Sequence, residues 1–536
     1  MPDQNAGATP FGGFGQPAPG EHPRQSVASP LVTLLGGVFS RGDVATGDAA
    51  WLQALLDAEA GLARALERAG LAPSGAGAAV TAAAVAADLS AGEVAEAARA
   101  SALTGNPVPG LARVLSRRVP AFAAPAVHHG ATSQDIMDTA TMLLARRATQ
   151  VIRRDLLAAA EAAARLADSH RGTLMIGRTL LQQAVPVTFG LMAASWLAGL
   201  DGAIAGLDAV AATRLAVQFG GAAGTLASLG DDGPTVVALL ADELGLAAPP
   251  LPWHTERLRV IDVAVAMARV TAALGKIARD VTLLAQTEVG EVSEGAGGTA
   301  AAGAPRRGGS SAMPNKRNPV ASVAILGCSR QVPGLLATLV ASAEQEHQRA
   351  AGAWHAEWQP FSDILRLAGS AAAWGAELLG GLAVDGARMA ANLAATGGLP
   401  LAEQVTGLLA DALGRPAAHD LVAGAAARAA GAGVPLRDVL LAIPEVERAG
   451  LTARQVDAAL DPAGYLGAAG EFVDAALRAH QHLIREDNES DGAAAPEGST
   501  PQPPGGTTPQ PPEGKNASKT GQEGAVAPGQ SRSDHG

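Results

Sequence analysis

The chain has 536 residues, with 39 Lys plus Arg against 51 Asp plus Glu and a net charge of −12. At roughly 150 residues per domain this allows about three domains, and the acidic balance argues against a nucleic-acid partner, whose mark would be a basic face. The lone cysteine, Cys328, excludes an internal disulfide and a multi-cysteine metal site, so a cytoplasmic protein is expected.

Residues 1–28 are rich in Gly, Pro and Gln, have little to bury, and read as a disordered segment. They show no basic stretch followed by an apolar core of the kind that directs secretion. Beyond them the composition favours closely packed helices over sheets, because hydrophobics reach 48% while aromatics are only 3%. The fold class expected is all-α. A Pro-rich break (Asn106, Pro107, Pro109, Gly110) and a change of texture near Pro360 divide the folded body into three parts, set at 29–125, 126–362 and 363–484.

From Thr139 to His170, Leu144, Ala148, Val151 and Ile152 recur at helical spacing, with Arg146, Gln150 and Arg153 opposite. His170, Arg171 and Gly172 are stop signals in the right order. Similar patterns run from about Phe189 to Ala216, Val260 to Glu291 and Val320 to Gln348. Such lengths far exceed the globular mean of roughly 11–12 residues and predict a bundle of long helices. The apolar run Ala184 to Leu200 contains Pro186, stops at Asp201 and is shorter than a bilayer span of about 20 residues. It reads as a buried bundle helix, and no membrane partner is expected. Residues 485–536 hold eight prolines and nine glycines in 52 positions, above the roughly 25–30% that marks low complexity, and read as a disordered tail.

Three segments carry chemistry. Glu294 to Val320 reads EGAGGTAAAGAPRRGGSSAMPNKRNPV; its first half has no apolar pattern, and its second half sets Ser310 and Ser311 after two glycines, near Lys316, Arg317 and Asn318. A long loop of this kind in a helical protein is a candidate lid or anion-binding loop. In His128-His129-Gly130-Ala131-Thr132-Ser133-Gln134-Asp135, Thr132 or Ser133 can cap a helix, with Asp135 and Asp138 favourable in its first turn. Free amides and hydroxyls there can also hold a carboxylate. The third segment is Gly177-Arg178-Thr179-Leu180-Leu181-Gln182.

The run from Gly309 to Pro319, GSSAMPNKRNP, resembles the signature loop of the fumarase/aspartase superfamily, and His128 to Asp135 resembles the superfamily's loop entering a long helix. The resemblance covers about residues 35 to 480 and implies a three-domain subunit with a central bundle of long helices, assembled as a homotetramer whose active sites are shared among subunits. The adenylosuccinate and argininosuccinate lyases carry a proton-transferring His after Arg-Thr, paired with a Glu downstream of the signature loop. Here those places read Leu180 and Val323, and neither can move a proton. The superfamily's cycloisomerase branch lacks this histidine, and Gln218 to Thr225, Pro252 to Arg257 and Ala353 to Trp358 resemble that branch too.

The branch implies a planar diene with three carboxylates as small-molecule substrate, closed to a γ-lactone when one carboxylate adds across a double bond. Ser310 is the acid/base so implied. The resemblance further implies that Thr132, Ser133, His128, Lys316 and Asn318 bind carboxylates, helped by Arg257 and Arg349, with His129 and His355 as alternative histidines facing the site. Trp354 and Trp358 are expected to be structural. The reaction so implied needs no metal or redox cofactor. A lyase of the same superfamily and a catalytically silent helical scaffold are the competing readings.

Overall fold

The computed structural model describes residues 36–295, 308, 309, 313 and 316–493. Ser310 and Ser311, the segment 1–28 and the chain beyond 493 lie outside the described residues.

Four helices precede the bundle: α1 (Asp48–Arg68), α2 (Ala76–Ala83), α3 (Ala91–Thr104) and α4 (Val108–Arg118). Pro107 and Pro109, read as a break, start α4, where a proline loses no helical hydrogen bond. The bundle comprises α5 (Ser133–Ser169), α6 (Phe189–Thr213), α8 (Leu258–Leu284), α9 (Val320–Ala341) and α10 (Ala353–Gly380), with the short α7 (Gly233–Leu244) between α6 and α8. Each expected long helix is present, with ends shifted by a few residues. α5 buries Leu144, Ala148 and Ile152, and its polar face is used: Arg153 bonds Asp208 of α6 at 2.6 Å and Arg146 donates to the Gly245 carbonyl at 2.7 Å. α5 packs on α6 and α10, and α9 packs between α8 and α10. The many alanines in these helices let their axes approach closely. Pro360, read as a change of texture, lies inside α10.

Two short antiparallel two-stranded sheets, the first a hairpin, interrupt the helical reading. β1 (Leu174–Thr179) pairs with β2 (Gln182–Thr188), so Ala184 to Thr188 is strand and helix begins only at Phe189. Pro186 is tolerated because this sheet has just two strands. At Gly177 the register slips, and a Cβ there would lie 2.7 Å from the Val185 carbonyl oxygen. β3 (Val292–Glu294) pairs with β4 (Leu382–Val384).

Beyond the bundle, α11 (Gly386–Ala394), α12 (Ala402–Leu413), α13 (Arg415–Ala432), α14 (Leu436–Leu441), α15 (Pro444–Arg448) and α16 (Ala453–Ala459) follow, and α12 to α16 enclose a second, smaller apolar core. α17 (Ala469–Ala493) returns Val473 to the main core. It runs past residue 485, where the tail was expected to begin. Cys328 is fully buried in α9, and burial pushes its thiol up to about 11.

Candidate active site

The candidate residues fall at two ends of the bundle. At the first end stand the starts of α5 and α8 and the segment leaving α9. Thr132 is the N-cap of α5, and the Asp135 carboxylate reaches back to accept its backbone N–H at 2.9 Å. That carboxylate also accepts from the backbone N–H groups of Gly220 and Gly221, each at 2.9 Å, and from His254 Nε2 at 2.7 Å. A Cβ at Gly220 would meet Pro252 at 2.7 Å and the His254 ring at 2.8 Å, so only glycine lets this loop lie so close. Arg349 completes the unit: it donates to Thr132 Oγ1 at 2.8 Å and to the Ala222 carbonyl at 3.0 Å. Ser133 follows as the first, half-buried residue of α5. Thr132, Ser133 and Arg349 are thus brought together, held from behind by Asp135.

Arg257 has a different place from the one expected. It is 3% exposed, and its guanidinium bonds Asp138 at 2.7 and 3.0 Å and Glu357 at 2.6 Å. Burial opposes its charge, but the two carboxylates outweigh burial and keep it fully protonated. A guanidinium so enclosed holds the frame; it has no donor face left for a substrate. Trp354 donates to Asp138 at 3.1 Å, the structural role expected of it. His128 bonds Glu59 through Nδ1 at 2.7 Å, His129 is exposed, and His355 Nε2 meets the Gly105 carbonyl at 3.0 Å. Glu59, Glu357 and His254 were missed as members of this end. For Glu59 a signal existed: it is a charge inside the apolar stripe Leu55, Leu56, Leu62, Leu66 of α1.

At the second end the signature loop is clamped at its base. Asn318 N–H donates to the Gly308 carbonyl at 2.9 Å, and Gly309 bridges to Arg317. Lys316 is exposed beside it. Glu294 accepts the N–H groups of Ala321 and Ser322 at 3.0 and 2.8 Å, fixing the start of α9 where the helix dipole favours a carboxylate. Three residues earlier, Glu291 holds Arg178 of β1 in a bidentate pair at 2.7 and 2.8 Å. The hairpin tip carrying Leu180 therefore shares this end with Val323. In the single chain they form no closed apolar wall, since Leu180 is 96% and Val323 57% exposed.

The two ends are not one pocket in one chain. α9 separates them with 22 residues, a length of about 33 Å at 1.5 Å per residue.

A family model described as Lyase matches residues 48–334, and one described as Adenylosuccinate lyase C-terminus matches residues 398–476. Among curated relatives, a nitrosuccinate lyase of Streptomyces davaonensis is 48% identical over 446 residues, covering 81% of this chain and 92% of the relative. A 3-carboxy-cis,cis-muconate cycloisomerase of Bradyrhizobium diazoefficiens is 44% identical over 453 residues, covering 84% of this chain and 98% of its own. The crystal structure of 3-carboxy-cis,cis-muconate lactonizing enzyme from Pseudomonas putida superposes with a TM-score of 0.75 at 41% identity, covering 82% of this chain and 96% of that one. With its signature loop, its bundle of long helices and these relatives, the chain belongs to the fumarase/aspartase superfamily of lyases.

Proposed function

We propose that the protein is a 3-carboxy-cis,cis-muconate cycloisomerase, closing that tricarboxylate reversibly to its γ-lactone in the breakdown of aromatic compounds. The observation that carries the reading is the paired Leu180 and Val323 in a chain 44% identical to such an enzyme. In lactonisation the attacking carboxylate is already ionised, so only carbon needs a proton. In the reverse direction that carboxylate leaves as a stable anion. One acid/base suffices where a nitrogen leaving group demands a second.

Ser310 is assigned that single role. Its hydroxyl gives a proton to the carbon beside a substrate carboxylate as the ring closes, and its alkoxide takes the proton back in reverse. The extra negative charge that builds on that carboxylate calls for fixed amides and cations, for which Lys316, Asn318 and the glycines of the loop are suited. Thr132, Ser133, His128 and Arg349 bind the remaining carboxylates.

The active form is read as a homotetramer whose sites combine the two ends from different subunits. The length of α9 supports this, because about 33 Å of helix lies between the signature loop before it and the segment with Arg349 after it. The surface supports it too: α6 and α9 are long and apolar enough to cross a membrane by length and composition, yet only 28% of the apolar stretch of α9 is buried within the chain. Exposed apolar helix faces of this kind suit subunit packing. A chain with one buried thiol and no disulfide fits the reducing cytoplasm.

A second reading has its own support. The Streptomyces relative is named for nitrosuccinate, and elimination from a nitrosuccinate expels nitrite, again a stable anion that needs no proton. The deciding experiment presents both substrates to the purified protein without added cofactor, following loss of the diene absorbance and release of nitrite. Rapid loss of the diene supports the cycloisomerase; nitrite release with an inert diene replaces it by the second reading. Ser310→Ala should lower turnover of the true substrate by at least about 10², and turnover near that of wild type would remove Ser310 from the mechanism.

A further inference from the structure

Glu59 is fully buried in α1, and both of its carboxylate oxygens are given to one residue. Oε2 accepts the backbone N–H of His128 at 2.9 Å, and Oε1 meets the ring Nδ1 at 2.7 Å. Among the described residues no Lys or Arg pairs with it. A buried carboxylate is retained only when a positive or donating partner answers it, and here the imidazole is that partner.

His128 itself is held in an unusual way. Its backbone sits at φ +59°, the left-handed region that non-glycine residues seldom enter, and Glu59 grips the same residue at both its amide and its ring. Double anchorage fixes the ring's orientation and leaves Nε2 as the ring nitrogen not engaged by Glu59. The His128 side chain is 25% exposed while its partner is wholly covered, and it lies four residues ahead of Thr132, which meets Arg349.

We propose that Glu59 is a positioning residue: from α1 it orients the His128 imidazolium so that Nε2–H binds one carboxylate of the substrate. This rests on the polycarboxylate reading above. The arrangement repeats a general device, in which a carboxylate on one ring nitrogen sets the tautomer and charge presented by the other. The titratable groups acting on the ring are Glu59 from α1 and Asp135 from α5, the latter bound by His254; Arg349 reaches only as far as Thr132. Burial disfavours the ring's charge, but the Glu59 hydrogen bond and the Glu59 and Asp135 charges outweigh it, so His128 holds its proton above the usual histidine range. The cation is therefore complete at low pH and is lost as pH rises through that raised value.

The test uses the full-length protein and calorimetric binding of tricarballylate, a tricarboxylate that cannot cyclise. Wild-type affinity should fall as the pH is raised through the His128 titration. Glu59→Gln should weaken binding about tenfold near pH 7.5 and move the fall to lower pH. His128→Gln should remove the pH-dependent step, and adding Glu59→Gln to it should change affinity less than about twofold, the mark of two residues acting as one unit. Effects that multiply in the double variant, or a Glu59→Gln pH profile parallel to wild type, would assign Glu59 to scaffolding alone and overturn the proposal. If Glu59→Gln does not fold, His128→Gln decides: an unchanged pH profile then refutes it. Because no turnover is measured, a wild type inert towards the diene would sink the substrate reading and leave this result standing.

Discussion

The main core and the small core beneath α12 to α16 are built on opposite rules. At its first end the main core encloses four carboxylates, Glu59, Asp135, Asp138 and Glu357, each no more than 3% exposed, with Arg257 and His254 buried among them and His128 alongside. The small core buries only Ala, Leu and Val, among them Leu409, Val422 and Leu436. Buried charge is seldom the cheaper way to stabilise a fold, since well-packed aliphatics do as well or better. The small core shows that this chain can build by aliphatic packing alone. The charged end therefore marks where position matters more than stability: Asp138 and Glu357 lock Arg257, and Asp135 ties Thr132 to the 220–222 loop.

The sharpest way to break the contrast is Asp138→Ala. It leaves Arg257 half answered and removes an acceptor from Trp354, and should cost about 3–5 kcal/mol in chemical denaturation. A loss under about 1 kcal/mol would show that the buried charges are not interdependent. Leu409→Ala in the small core should cost about 2–5 kcal/mol, through the lost methyl groups and the cavity left behind. Its KM should stay at the wild-type value, and a raised KM would tie the small core to the site after all. Removing residues 494–536, beyond the end of α17, should leave the melting temperature and activity almost unchanged, because that segment is polar and rich in chain breakers. A drop of several degrees would give it a stabilising role that neither core now requires.

The long helices were legible because their apolar residues repeat at 3.6 over many turns, and the family was legible from the eleven residues at 309–319. The hairpin was not. Leu180 and Leu181 form its turn with φ of 50° and 65°, a conformation normally announced by Asn-Gly, and nothing about two leucines signals it. Arg257 misled for a different reason. A cation near a motif reads as a ligand for an anionic substrate, while its real partners lie 119 and 100 residues away at Asp138 and Glu357. Long-range pairing of this kind leaves no periodic trace. Thr132 and Arg349, 217 residues apart, do meet as hydrogen-bond partners, although only the resemblance had put both at one site.

Cys328 gives the experimenter something the other regions do not. As the lone thiol, fully buried and held protonated to about pH 11, it is closed to reagents while α9 stays packed. Its rate of modification then counts openings of the bundle, so the free energy of those excursions can be timed on the unaltered chain by mass alone, with no probe attached. The same silence leaves any cysteine placed on the surface as the one reactive handle for a spectroscopic label.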